Sequence, residues 1–307
     1  MSMQASAGQA SGVAPSKRLL PMVHKLAYRN LFHDRLSLLV TLVGIVFSVV
    51  LVAVQLGMYQ GTQQLLTSML DHTEADLWVV PLETKSYDDP FLLEGREKQA
   101  ILSTPGIASA NELVVSFVNW KKPSTGALTV AAVVGLDDLP NSSLPKPLVE
   151  GSMKSIMGAS NVAVDIVYFN ELGVTKIGER AEVNGMAVTI TALTRGIRSF
   201  TTMPYIFTSI TNARAMIGAN PEQSSFIRVR VQNGVDVKKA QADLKSRLSG
   251  RDVITQEEFR ERNINRWMFG TGAGVALIAG TALGIIVGIV IVAQTLYAST
   301  KDHLNEF

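Results

Sequence analysis

The chain has 307 residues, with 28 Lys and Arg against 26 Asp and Glu, and no cysteine. A net charge of +2 leaves no basic footprint for nucleic acid, and the missing cysteines exclude disulfides, thiolate metal sites and a cysteine nucleophile. The apolar fraction of 47% is ordinary, but residues 36–70 and 267–300 hold no charged side chain at all. Each window is longer than the ~20 apolar residues that cross a bilayer, so a chain without membrane contact is not expected.

In chain order, the opening MSMQASAGQASGVAPS is low in complexity and predicts no fixed structure. KRLLPMVHKLAYRNLFHDR follows, alternating basic and apolar residues near helical spacing. It reads both as a positive topology flank and as an amphipathic helix on the inner leaflet; the two readings are compatible. Residues 36–58 then form the first predicted span. Its apolar core is longer than a cleaved leader needs and no A-x-A site follows, so it is read as an anchor. Residues 268–296 form the second. Backbone amides in hydrocarbon must be bonded internally, which makes both spans helices.

The flanks set the orientation. Lys17, Arg18, Lys25, Arg29 and Arg35 precede the first span against the single acid Asp34, and the next cation after it is Lys85. The excess of positive charge places residues 1–35 in the cytoplasm, 59–267 outside and 297–307 back in the cytoplasm. Lys25, Arg29, Arg35, Trp267 and Tyr297 are the expected interfacial anchors, with Phe32 and Tyr59 bracketing the first span.

Outside the membrane, Leu65, Leu66, Met69 and Leu70 carry the first helix on as a stalk. At the other end Thr255-Gln256-Glu257-Glu258 is a capping box. Phe259, Asn263, Ile264 and Trp267 then lead without Gly or Pro into the second span, predicting a second unbroken rod. Between the stalks, strands are predicted at Leu77–Val80, Leu113–Asn119, Leu128–Val134, Val162–Val167, Ala181–Val183, Ala187–Leu193 and Phe226–Gln232. Asn184-Gly185 is a type I′ hairpin signal. Helices are predicted at Phe91–Ser103 and, capped by Asp236, at Val237–Leu248. The order implies a membrane protein of α+β class: a split ferredoxin-like unit with a β-rich subdomain inserted near residues 140–220.

No phosphate loop, H-E-x-x-H or G-x-S-x-G occurs, and the four histidines are scattered, so no catalysis, cofactor or resident metal is expected. Gly270-Thr271-Gly272-Ala273-Gly274 lies in an apolar span rather than after a strand, against a dinucleotide loop. Gly272, Ala276, Gly280, Gly284 and Gly288 instead make a small-residue ridge for helix packing. Asp71-His72-Thr73-Glu74-Ala75-Asp76 reads as a solvated stalk end, with a metal site as the other reading. Asp88, Asp89, Asp137 and Asp138 read as loop acids.

The basic LAYRNLFHDR, the span TLVGIVFSVVLVAVQLG, an outer domain of about two hundred residues and a glycine-rich span ending in LYASTKDHLNEF occur in that order. Within the outer domain lie Phe91–Pro105-Gly106, the strand pair ending at Val134-Gly135, and Phe169-Asn170-Glu171-Leu172-Gly173 with Gly178. The chain thereby resembles the permeases of the MacB/FtsX/LolC-LolE superfamily of ABC transporters, most of all the DevC branch. The resemblance implies an inner-membrane permease subunit without enzymatic activity of its own. Its expected partners are an ATP-binding ABC subunit, a second permease as homo- or heterodimer, the bilayer, and in some systems a periplasmic membrane-fusion protein. It puts Lys301, Asp302, His303 and Glu306 in the ATPase-coupling segment and Lys25–Arg35 on the amphipathic helix. Superfamily members continue into a third and fourth span, so the resemblance implies either a truncated chain or two spans completed by another subunit.

A two-span regulator of polysaccharide chain length shares this topology. It has long helical outer segments and proline near the second span, whereas residues 222–307 hold no proline. A sensor would need a signalling module after the second span.

Overall fold

Leu77, Trp78, Val79 and Val80 are four consecutive residues with 0% exposure. Successive side chains of a strand point to opposite faces, so this strand must be covered on both sides. The computed structural model describes residues 35–93, 95, 97–137, 148–201 and 203–302. In it β1 (Leu77–Pro81) pairs antiparallel with β9 (Phe226–Val231) and β10 (Arg251–Thr255), and β9 pairs with β2 (Ile107–Lys121). The spatial order is β10-β1-β9-β2, with α2 (Glu97–Leu102) between β1 and β2 and α6 (Val237–Arg247) between β9 and β10. That is the split ferredoxin-like arrangement of two βαβ arms. One face carries Leu77 and Val79 under Ile101 of α2 and Ala240 and Leu244 of α6. The other carries Trp78, Val80, Phe226 and Ile254 under Leu70 of α1 (Arg35–Asp71) and Phe259 of α7 (Gln256–Met268).

The β-rich middle is not a separate sheet. The second half of β2 pairs with β3 (Leu128–Leu136), and β3 pairs in parallel with β8 (Tyr205–Ser209). From there the ladder runs through β5 (Asn161–Asp165) and β7 (Met186–Thr194) to β4 (Leu148–Gly151), while β6 (Arg180–Val183) joins β2 and β7. The ten strands among the described residues share one sheet. The inserted part keeps its own core, in which Trp120, Val133, Val164 and Ile206 pack with Leu172 of α4 (Phe169–Leu172) and Ala213 of α5 (Ile210–Ile217). A short α3 (Met153–Ile156) precedes β5. The hairpin between β6 and β7 turns on Asn184 and Gly185, both at positive φ (47° and 85°) as a type I′ turn requires.

Three expectations change. The helix expected over Phe91–Ser103 is only α2, Glu97–Leu102: Gly95 sits at φ 139°, and Leu93 bonds the backbone of Ser224 instead. The strand expected to Val167 stops at Asp165, whose carboxylate accepts the Val167 amide and starts a 3-10 turn. The second rod is broken: α7 ends at Met268, and α8 (Gly272–Asp302) begins after a three-residue turn.

The chain divides into two compact units, Gly57–Ala279 and Met1–Leu56 with Gly280–Phe307. The first is the mixed α+β unit. The second holds the larger apolar parts of α1 and α8, both long and apolar enough to cross a membrane.

Candidate functional site

The C-terminal turns of α1 bury Leu66, Met69 and Leu70, while Leu65 stays partly exposed. These turns meet α7 on the same face of the sheet, and two side chains of α7 tie the elements together. Asn263, with no exposed surface, accepts the Tyr87 amide at 3.0 Å through Oδ1 and donates Nδ2 to the Leu66 carbonyl. Gln256 donates Nε2 to the Leu70 carbonyl at 2.6 Å and accepts the Trp78 indole N–H on Oε1. Each amide therefore satisfies one group on α1 and one on the sheet side. Buried polar groups that lose such partners are costly, which makes the register of α1 on α7 specific. Around them Trp78, Tyr87, Phe226 and Phe259 pack edge-on or stacked, with ring centroids 5.3 Å apart for Trp78–Phe259 and 5.4 Å for Tyr87–Phe226.

Charged contacts rim this joint. Arg260 pairs with Asp71 at 2.7 Å, and Asp71 also accepts the Thr67 hydroxyl at 2.7 Å. Arg262 donates to Asp252 at 2.7 Å and to the Thr84 carbonyl at 3.2 Å. The capping box forms as expected: Thr255 Oγ1 accepts the Glu258 amide, and Glu258 accepts the Thr255 amide at 2.9 Å. Glu258 also takes Lys238 at 2.7 Å and Gln241 at 2.6 Å, anchoring α7 to α6. Burial pushes its carboxyl up, but the bonds from Lys238, the Thr255 amide and Gln241, with the Lys238 charge, outweigh this and hold it at about 2.

The turn between α7 and α8 is built by glycine and threonine. Thr271 donates its hydroxyl to the Trp267 carbonyl at 2.6 Å and accepts the Gly274 amide at 3.2 Å, ending one helix and capping the next. A Cβ at Gly274 would lie 2.2 Å from the Trp267 carbonyl oxygen, and one at Gly270 2.4 Å from that of Arg266. The glycine run noted in the sequence thus permits a close backbone crossing where the second rod had been expected to continue. Trp267, expected as an interfacial anchor, packs on Phe200 at 5.2 Å.

Within the apolar unit, Ser48 donates to the Gly288 carbonyl at 2.6 Å. A Cβ at Gly288 would meet Val52 at 2.7 Å, and one at Gly284 would meet Gln55 at 2.7 Å. Gly272 and Gly280 have nothing within 4 Å, and Ala276 is exposed. Steps of four residues overshoot a helical turn by about 40°, so a fourfold ridge winds around the helix. The contact face alternates steps of three and four, through buried Thr281, Gly284 and Gly288 to Thr295, which abuts Gly44. Arg35 opens α1, Tyr297 and Lys301 are exposed on α8, and Asp302 ends it. Lys25, Arg29, Phe32, Asp138, His303 and Glu306 lie outside the described residues.

Among the described residues no cluster of His, Asp and Glu could hold a metal. The acids at the end of α1 are instead structural, since Asp76 accepts the Val231 amide at 2.9 Å and Asp71 holds Arg260. Two acids expected as loop residues are cross-links. Asp88 accepts the Tyr205 hydroxyl at 2.8 Å, and burial raises its pKa against that bond. Asp137 takes Lys98 and the Glu112 amide.

The family described as MacB-like periplasmic core domain matches residues 38–247. No curated protein matches the chain. Among solved structures, the periplasmic region of MacB from Actinobacillus actinomycetemcomitans is similar at 10% identity and a TM-score of 0.48, covering 62% of this chain and 94% of that one. The extracellular domain of the ABC-type transporter YknZ from Gram-positive bacteria is similar at 10% identity and a TM-score of 0.42, covering 59% and 99%. With TM-scores under 0.5, neither likeness says what this chain acts on.

Proposed function

The chain belongs to the family of the MacB-like periplasmic core domain, and from that premise we propose that it is the transmembrane permease subunit of an ABC-type system for export or mechanotransmission. In this reading α1 and α8 span the inner membrane with the N-terminus in the cytoplasm and the α+β unit in the periplasm. A cytoplasmic ATP-binding subunit engages the chain through the segment after Tyr297, including Lys301, Asp302, His303 and Glu306. The stroke travels along α1 to the sheet. The permease works as a dimer, with a membrane-fusion protein as its periplasmic partner, and most resembles the DevC branch.

The observation that supports this reading best is the joint. Asn263 and Gln256 fasten the end of α1 to the helix leading toward α8 and to β1 and the segment after it, so the two stalks share one packed core. The family match gives the chain-length-regulator alternative no support. The test is capture of the full chain from detergent extracts, with and without residues 299–307. The reading expects a P-loop ATPase to co-purify and to be lost on the deletion. Equal recovery by both forms, or no ATPase with either, would count against it.

A further inference from the structure

A groove of about 670 Å³ opens beside the end of α7. Leu82, Thr84 and Lys85 line it from the segment after β1, Asp252 from β10, and Arg262 and Arg266 from α7. Three cations thus converge on one groove against two carboxylates, Asp252 and the exposed Glu83. Asp252 is already bonded to Arg262. Among the described residues no carboxylate lies within ion-pair distance of Lys85 or Arg266.

Lys85 and Arg266 point to what the groove holds: Arg266 makes one long bond, to the Gly270 carbonyl at 3.5 Å, and an anionic oxygen would pair with both cations at once. The surroundings narrow the class. Arg266 precedes Gly272, the start of the apolar α8, by six residues, the last three before Gly272 being the turn at 269–271. Leu82 on the groove and Phe269 in the turn are 63% and 65% exposed. Cations interleaved with exposed apolar side chains at the entry to an apolar helix match the headgroup layer of a bilayer.

We propose that this groove binds the phosphodiester of a membrane phospholipid. Lys85 and Arg266 pair with the phosphate, and Leu82 and Phe269 lie against the glycerol and acyl start. The proposal rests on the reading of α8 as a membrane span. The bound headgroup would hold the end of α7 at a set depth beside the turn where α8 begins.

The test uses the full chain in detergent. Retention of dihexanoyl phosphatidylglycerol is titrated by native mass spectrometry, beside dihexanoylglycerol, which lacks the phosphate, and inorganic phosphate. Lys85→Ala with Arg266→Ala should raise the half-saturating lipid concentration about tenfold or more, since each removes a charge-assisted bond. Lys122→Ala, in a different groove, should leave it unchanged. Equal retention by wild type and double variant, or equal retention of dihexanoylglycerol, would overturn the proposal. So would inorganic phosphate matching the lipid at equal concentration, which would make this a free-anion site. Liposome flotation separates the two readings: flotation without headgroup preference overturns the groove alone, while failure to float removes the span beneath it.

Discussion

Asn263 concentrates the consequences of this fold in one side chain. Its amide is the only group bonded to both the Leu66 carbonyl and the Tyr87 amide among the described hydrogen bonds, across 197 and 176 residues of sequence. Asn263→Ala and the bulkier Asn263→Leu should therefore each destabilise the chain by about 2–4 kcal/mol, since two buried backbone groups lose their partner in both. Denaturant unfolding of the full chain in detergent reads this, and a loss below about 0.5 kcal/mol would contradict it. Glu258 gives a pH signature. Its folded value of about 2 lies below its ordinary 4.5, so its stabilisation is complete above 4.5 and is lost as pH falls toward 2. Glu258→Gln should flatten the stability profile between those limits, measured as unfolding midpoint against pH; an unchanged slope would be evidence against the Lys238 and Gln241 contacts. The two residues also differ in how far the sequence reveals them. The capping box was legible because Thr255 and Glu258 are three residues apart. Asn263 was visible only as a polar residue in an apolar stripe, since its partners come from distant segments.

At the scale of elements, the break between α7 and α8 and the packing of α1 on α8 depend on particular glycines. Gly274→Ala places a methyl group against the Trp267 carbonyl and should cost about 1–3 kcal/mol, as overpacking does. Gly288→Leu should cost a similar amount by pushing α8 off Val52 and Ser48. Gly280→Ala, in open space, should stay within about 1 kcal/mol of wild type, helix propensity being its main effect. Thermal unfolding of the three variants in one detergent tests the ranking, and Gly280→Ala as damaging as Gly288→Leu would contradict the contact face. The sequence announced the long β2 and β7, whose runs alternate or carry β-branched residues. It hid β8, which is Tyr-Ile-Phe-Thr-Ser with no alternation, and it left without bounds the strand expected after Val237–Leu248, β10, which opens on Arg251 and Asp252. Pairing was harder still: the parallel β3–β8 ladder that merges the insertion into one sheet joins residues 132–136 to 205–209, and no local pattern encodes it.

For the whole molecule, the sequence and the family match agree on a MacB-like core of α+β class, and two helices apolar enough to cross a membrane flank it. Composition revealed the helices because charge is absent over long windows. It did not reveal that the second stalk stops at Met268, because glycine is common in membrane helices and the Thr271 cap is only visible once its carbonyl partner is placed. The break gives the two stalks unequal roles in the proposed transmission. α1 runs without interruption from Arg35 to Asp71, whereas force entering through α8 must pass the turn at residues 269–271. The central claim is that the end of α1 and α7 move as one body through Asn263 and Gln256. Spin labels on exposed Gln64 of α1 and Glu261 of α7 measure it directly, by pulsed dipolar spectroscopy of the full chain with its captured ATPase, with and without nucleotide. The account predicts one narrow distance, unchanged by nucleotide and broadened by Asn263→Ala with Gln256→Ala. A distance that shifts with nucleotide, or splits into two in the wild type, would contradict it.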